Sequence, residues 1–284
     1  MPSVLTAEQR QQFDRDGYFL VRGLFDAEET RLMREAMETD PTVRANFYNR
    51  GDSEGLVTRM VTWNQPGDGV YGLAARSARM VDTMEDLLGG EVYHYHSKLT
   101  AKEPREGGAW EWHQDYGYWY HNGCLFPLMA SCMIALDRSD RNNGCLQVLK
   151  GSHLMGRLDH GLLEGQQVGA DLRRVEEAKK NLDLVYAEMD PGDGLFFHCN
   201  TLHRSDQNRS ANRRWMMICC YNAARNNPYR AHHHPFYTLL EKVPDTAIKA
   251  AGARFADPKL DEAFLKKPVA PAELTKVVGK AFNG

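Results

Sequence analysis

The chain has 284 residues, 42% of them hydrophobic and 26% charged, which is ordinary globular composition and excludes disordered, collagen-like and fibrous classes. A net charge of -3, from 35 basic and 38 acidic residues, gives no electrostatic reason to expect nucleic acid or an anionic membrane surface as partner. A small-molecule substrate is therefore favoured, and the length suits one catalytic domain, residues 1–284, with embellishments.

The first twenty residues carry charge from Glu8 onward, and no stretch approaches eighteen uncharged apolar residues, so neither a signal peptide nor a membrane span is expected. Six cysteines lack C-x-x-C spacing, and a reducing, cytoplasmic compartment is the expectation.

Thr6-Ala7-Glu8-Gln9 reads as a capping box that opens a helix to about Asp16, closed by Gly17. Tyr18–Val21 reads as a short strand. Asp26 caps a second helix with Leu32, Met33, Ala36 and Met37 on one face. The Gly-, Asn-, Asp- and Pro-rich stretch from Pro41 to Gly72 suggests a long loop, and a helix follows over Ala74–Leu88, closed by Gly89-Gly90. Residues 1–90 are thus helical support and loop.

From Glu91 the period changes to two. Val92–Lys102 places His94, His96, Lys98 and Thr100 on one face and Tyr93, Tyr95, Ser97 and Leu99 on the other. Further strands are expected at Trp110–Asp115, Met129–Leu136, Cys145–Leu149, Leu184–Met189, Leu195–His198 and Arg213–Tyr221, separated by turns such as Asn142-Asn143-Gly144. Helices followed by many short strands predict an all-β core, residues 91–240, folded as a jelly roll or cupin-like double-stranded β-helix and buttressed by the N-terminal helices. Residues 241–284, with Lys266-Lys267-Pro268, read as a C-terminal extension.

Trp112-His113-Gln114-Asp115 puts an imidazole and a carboxylate two residues apart, on one face of a strand, where both can hold one metal. Alone this is weak, since a chain with eleven histidines contains such a pair by chance. Downstream, His198 and His203 lie in a strand and polar turn, with Arg213-Arg214 opening the next strand. A His-x-Asp with one distant histidine is the ligand set of a facial triad that leaves open positions on ferrous iron. An arginine one strand away can clamp a carboxylate bidentately, which suits the far end of 2-oxoglutarate. Spacing alone does not choose between His198 and His203.

Four motifs together resemble the phytanoyl-CoA dioxygenase family of iron(II)- and 2-oxoglutarate-dependent oxygenases: F-x-x-D-G-Y at Phe13–Tyr18, W-H-Q-D at Trp112–Asp115, N-N-G-C-L-Q-V-L-K-G-S-H at Asn142–His153, and P-G-D followed by H-x-x-x-x-H-x-S-x-x-N ending at Asn208. The resemblance, over residues 6–240, implies iron ligands at His113, Asp115 and His203. It implies 2-oxoglutarate contacts from Arg214, Ser205 and Thr100. It selects His203 over His198, and Arg214 over Arg213, because the family's arginine follows its ligand by eleven positions. Retention of Asp115, where halogenating relatives carry a small residue, implies hydroxylation with O2, releasing succinate and carbon dioxide.

Tyr116, Tyr118, Trp119 and Tyr120 follow the ligand pair closely. Read as core aromatics, they only pack. Read as a wall, Tyr116, Tyr118 and Trp119 bind a cationic amine at about 0.5–2 kcal/mol per favourable contact, while His96 or Lys98 meets an anionic end. The spacing to Trp119 is similar to that of ectoine hydroxylases, which favours a small zwitterionic or amine-bearing substrate such as an amino acid derivative, quaternary amine or aminophosphonate. An acyl-CoA thioester is the alternative substrate, with Arg225 and Arg230 as its only clustered cations. A cupin-like metal-binding or hydrolytic protein is the alternative of another class. His232-His233-His234, within the chain and before Pro235, is expected to serve packing or surface.

Overall fold

The computed structural model describes residues 4–163 and 167–255. Most of the expected C-terminal extension lies outside them. The helices are α1 (Ala7–Asp16), α2 (Ala27–Thr39), α3 (Pro41–Ala45), α4 (Val70–Arg76), α5 (Ala78–Leu88), α6 (Asp115–Trp119), α7 (Leu172–Asn181) and α8 (Ala247–Ala251). The strands are β1 (Tyr18–Val21), β2 (Tyr48–Gly51), β3 (Val57–Trp63), β4 (Val92–Lys102), β5 (Trp110–His113), β6 (Met129–Ala135), β7 (Leu146–Leu149), β8 (His160–Leu162), β9 (Val168–Ala170), β10 (Leu184–Ala187), β11 (Gly194–His198), β12 (His203–Ser205) and β13 (Arg214–Ala223).

The first two helices begin and end where local chemistry dictates. Thr6 and Gln9 form a reciprocal cap, Asp26 and Glu29 form another, and Gly17 closes α1 in the left-handed region at φ 81°. The helix expected at 74–88 is instead two, because Ser77 takes an extended ψ of 146° between α4 and α5. The expected 41–72 loop also needs correction, since it contains α3 and the β2–β3 hairpin, which extends the main sheet. Its polar residues mark turns within that segment rather than an unstructured whole.

A seven-stranded antiparallel sheet runs β1-β11-β6-β13-β4-β3-β2 and faces a four-stranded antiparallel sheet, β10-β7-β12-β5. This is the double-stranded β-helix architecture. The large sheet packs one face on the helices, through residues such as Leu99, Met217 and Cys219 with Met33, Met84 and Leu88. Its other face joins the small sheet through Met216, Ile218, Leu146 and Val148. Successive residues on β13 thus serve two cores, and the second core encloses the site.

The expected alternation of β4 breaks once. Cys220 pairs with His96 but Tyr221 pairs with His94, so Tyr95 is an extra, bulged residue. The bulge sends His94 to the helix side, edge-on to Tyr221 at 6.1 Å and bonded to Asn64 and Ser97. Tyr93 and Tyr95 enter the inter-sheet core, contrary to the period-two reading.

Asp52, in the β2–β3 turn, clamps the two sheets at the mouth of this core. Its carboxylate accepts from the backbone N–H groups of Glu54, Leu56 and Ala109 and from the Gln207 side chain, at 2.8–3.0 Å. Burial alone would raise its pKa, but these hydrogen bonds outweigh burial and hold it below the usual 3.8. The ionised form therefore stabilises the fold above the unfolded-state pKa, and that contribution is lost as pH falls through the lower folded-state value. Asp52→Asn keeps one acceptor oxygen and sets an amide donor against the N–H donors at the other end of the clamp. It should cost about 2 kcal/mol or more and flatten the acid limb of the stability–pH curve in denaturant titrations at pH 3–7.

Candidate metal centre and co-substrate pocket

β5 and β12 pair so that His113 lies directly opposite His203, and their rings approach to 4.1 Å between centroids. Each imidazole is oriented from behind. Nδ1–H of His113 donates to the Glu111 carbonyl at 2.7 Å, and Nδ1–H of His203 donates to the Thr201 carbonyl at 2.9 Å. That tautomer leaves the two Nε2 lone pairs facing inward. Burial pulls both pKa values below 6.5, which keeps the rings in the neutral, metal-binding form.

Asp115 corrects one expectation about local structure. β5 stops at His113, and Asp115 is the first residue of α6, with Gln114 in extended conformation as its cap. The His-x-Asp pair therefore straddles a strand-to-helix junction rather than sharing a strand face. Gln114 pins the junction: its backbone N–H donates to His160 Nε2, its amide donates to the Gly156 and Asn200 carbonyls, and its Oε1 accepts from Leu158 N–H. Asp115 Oδ1 lies 3.9 Å from His113 Nε2 and 4.0 Å from His203 Nε2, while Oδ2 accepts from the Ser131 hydroxyl at 3.1 Å.

These three donors converge within 4.8 Å, all buried, and no other His, Cys, Asp or Glu group among the described residues does so. Two neutral imidazoles and a carboxylate fit a divalent first-row metal such as iron(II) on one face, with the opposite face open. His198 stands elsewhere, accepting from Asn200 N–H and packed edge-on to Phe13.

Lys98, Thr100, Lys102, His113, His203 and Arg214 border one recess. Arg214 is 2% exposed, yet among the described residues its guanidinium bonds only the Ser139 hydroxyl at 3.2 Å and Met133 Sδ at 3.9 Å. Burial lowers its pKa to about 10, so it stays charged without a carboxylate partner. Arg213 points away, paired with Asp137 at 3.1 Å and Glu38 at 2.6 Å and stacked on Trp215. Ser205 sits beside Arg214 and accepts from Lys102 Nζ at 2.8 Å; Lys102 also donates to the Asp206 carbonyl at 2.5 Å.

Lys102 and Ser131 escaped the sequence reading. Lys102 continues the Lys98, Thr100 alternation and was legible from it, whereas Ser131 is a lone hydroxyl in an apolar run. The recess thus holds the acid-free Arg214 guanidinium and reaches the triad through His113 and His203, whose third member, Asp115, is buried with one hydroxyl partner.

Of the residues expected to meet substrate, only Lys98 borders the recess. Trp119, 3% exposed, packs on Tyr95 at 5.4 Å and His96 at 5.9 Å. Tyr116 is buried with its hydroxyl on the Cys124 carbonyl, and Tyr118 bonds the Val168 carbonyl while its ring flanks His113 at 5.8 Å. The short α6 turns these aromatics into the core behind the metal ligands. His96 is buried under His234.

The family model for phytanoyl-CoA dioxygenase (PhyH) matches residues 13–216. The chain belongs to the phytanoyl-CoA dioxygenase family. Among curated relatives, the L-proline trans-4-hydroxylase of Streptomyces griseoviridis is 31% identical over 202 residues, covering 64% of this chain and 74% of the relative. An ectoine dioxygenase of Stutzerimonas stutzeri is 27% identical over 236 residues, covering 78% of each chain. Among solved structures, the apoform of EctD from S. alaskensis superposes with a TM-score of 0.71 at 24% identity, covering 86% of this chain and 89% of that one. The same enzyme has been solved with bound Fe, and with 2-oxoglutarate and 5-hydroxyectoine. This member of the family is a non-haem iron(II)- and 2-oxoglutarate-dependent dioxygenase, with His113, Asp115 and His203 as its facial triad.

Gly117, two residues after Asp115, packs against the ring that anchors the junction. A Cβ there would meet His160 Cε1 and Nδ1 at 2.2 Å. Gly117→Ala should displace Asp115 and cut anaerobic iron(II) affinity at least about tenfold, of the order seen when a group orienting a metal ligand is lost. By contrast, Trp119→Leu should lower stability by about 3 kcal/mol, a core-cavity cost measurable by chemical unfolding, with iron affinity near wild type.

Proposed function

We propose that the protein hydroxylates a small zwitterionic or amine-bearing metabolite, using iron(II) at His113, Asp115 and His203 and 2-oxoglutarate held by Arg214. The observation that carries this reading is that one recess is lined both by His113 and His203, which converge with Asp115 as a buried triad, and by Arg214, a buried guanidinium with no acid partner among the described residues. When bound, iron(II) would activate O2, the oxidant, with one oxygen atom going into the succinate formed with carbon dioxide by oxidative decarboxylation of 2-oxoglutarate and the other into a substrate C–H bond.

The chain's own residues position and protect. The Glu111 and Thr201 carbonyls fix the imidazole tautomers, and Ser131 fixes the free oxygen of Asp115. Arg214 offers a planar two-donor fork to the distal carboxylate of 2-oxoglutarate, with Ser205, Lys102 and Thr100 as neighbours. Met133, Leu146, Phe197 and Ile218 close the recess against bulk water.

The substrate class draws support from relatives named for L-proline and ectoine; another, a probable hypophosphite dioxygenase 27% identical over 231 residues, is named for a small oxyanion without an amine. It does not draw support from an aromatic amine wall, because Trp119 and Tyr116 are core. The acyl-CoA alternative loses its cations: Arg225 donates to the Leu88 and Gly89 carbonyls, and Arg230 to the His121 carbonyl. No described helix is long and apolar enough to cross a membrane, and we assign the enzyme to a reducing, cytoplasmic compartment on its buried free thiols.

Succinate release from 2-oxoglutarate by anaerobically iron-loaded protein, then exposed to air with a panel of small zwitterions, tests the reading directly. Stimulation by a panel member with an oxygen atom added to it supports the reading; iron-loaded protein that never consumes 2-oxoglutarate contradicts it. Arg214→Lys keeps the charge and loses the fork, and should weaken 2-oxoglutarate binding about ten- to hundred-fold. Arg213→Lys should leave it unchanged.

A further inference from the structure

One wall beside the metal ligands is basic and has no acid to answer it. Lys98 borders the recess together with His113 and His203. The bulge at Tyr95 leaves His96 on the same inner side of β4, opposite Cys220 on β13. Cys220 in turn lies opposite Ser131 on β6, the hydroxyl that holds Asp115. His96 therefore occupies the same layer of the sheet as the anchor of the triad carboxylate.

His96 is 5% exposed, and its Nδ1 is buried with no hydrogen-bond partner among the described residues. The segment after β13 folds back over it. His234 stacks on His96 at 4.9 Å and on Tyr95 at 4.4 Å, and its Nδ1 is also occluded and unpartnered. Asn64 fixes this strap by donating to the His233 carbonyl at 2.7 Å. Burial, and then the nearby Lys98, hold His96 well below its usual pKa, so a neutral imidazole with an N–H to offer stands near the lysine. The nitrogens of these histidines do not converge as metal ligands do; among the described residues only the triad meets that condition. No carboxylate pairs with Lys98, His96 or His234 among the described residues. Occluded polar atoms without partners are costly, and a native fold retains them where something else supplies the bond.

We propose that Lys98, His96 and His234 form a subsite for the oxyanion head, carboxylate or phosphonate, of the substrate, with the 232–234 strap as its outer wall. The proposal rests on the zwitterion hydroxylase reading and adds which end of the molecule is gripped and by what. Packing alone explains stacked rings, but it leaves the unpartnered nitrogens and the unanswered lysine without a role.

The test is calorimetric titration of the anaerobic iron(II)–2-oxoglutarate protein with 2-aminoethylphosphonate, β-alanine and ethanolamine, which share an aminoethyl chain and differ in the head. At least one oxyanion probe should bind about tenfold or more tighter than ethanolamine, and the better of the two identifies the head. Lys98→Met, His96→Phe and His234→Phe keep bulk or ring and remove the donors. Each should weaken that probe about ten- to hundred-fold while 2-oxoglutarate affinity and melting temperature stay near wild type. His234→Gln returns an N–H and should bind more tightly than His234→Phe. Ethanolamine binding as tightly as the oxyanions, neither oxyanion binding, or variants that bind as wild type would overturn the subsite. Succinate release coupled to a substrate without an oxyanion, undiminished in all three variants, would overturn the subsite and leave the hydroxylase reading standing.

Discussion

The pairing of His113 with His203 across β5 and β12 is the contact on which the site depends. Two strands from distant parts of the chain must dock in one register for the imidazoles to meet, and a slip of one residue would turn either ring out of the core. The cost is a buried cluster of nitrogen lone pairs and a carboxylate with one hydroxyl partner. A metal cation relieves that cost. Arg214, on the larger sheet, is the opposite case: a buried cation whose relief is an anion.

The fold keeps these two charges from neutralising each other. No ion pair joins Asp115 to Arg214 among the described residues, because Ser131 draws one toward β6 and Ser139 holds the other at the far end of the recess. A compact protein ordinarily pairs its buried charges, since an isolated one is expensive. Keeping them apart stores binding energy for a metal at one end and a carboxylate at the other. The β4 strand then supplies Lys98 between the two ends and, through its bulge, His96 beyond them.

Much of this was legible in the residues. The capping residues Thr6 and Asp26, the closing Gly17, and the strands at 92–102, 129–135 and 194–198 follow local rules that tertiary contacts did not override. His113, Asp115 and His203 converge as the resemblance implied, and Arg214, unlike Arg213, lines the recess they share. What escaped was set by non-local packing. The break at Ser77 and the β2–β3 hairpin depend on partners far along the chain, and the bulge at Tyr95 exists only in pairing with β13. Period two could not reveal it, so His94 was placed on the wrong face. Closeness to the ligand pair left the aromatics after Asp115 open to a wall reading and a core reading alike; the turn into α6, which depends on non-local packing, carries Tyr116 and Trp119 into the core.

The most direct measurement is iron(II) binding stoichiometry, by anaerobic equilibrium titration, for wild type, His203→Ala and His198→Ala. One iron per chain in wild type and in His198→Ala, with binding abolished in His203→Ala at unchanged melting temperature, is the predicted result. Retained stoichiometric iron in His203→Ala together with its loss in His198→Ala would contradict the account, because the β5–β12 pairing would then not be what assembles the centre.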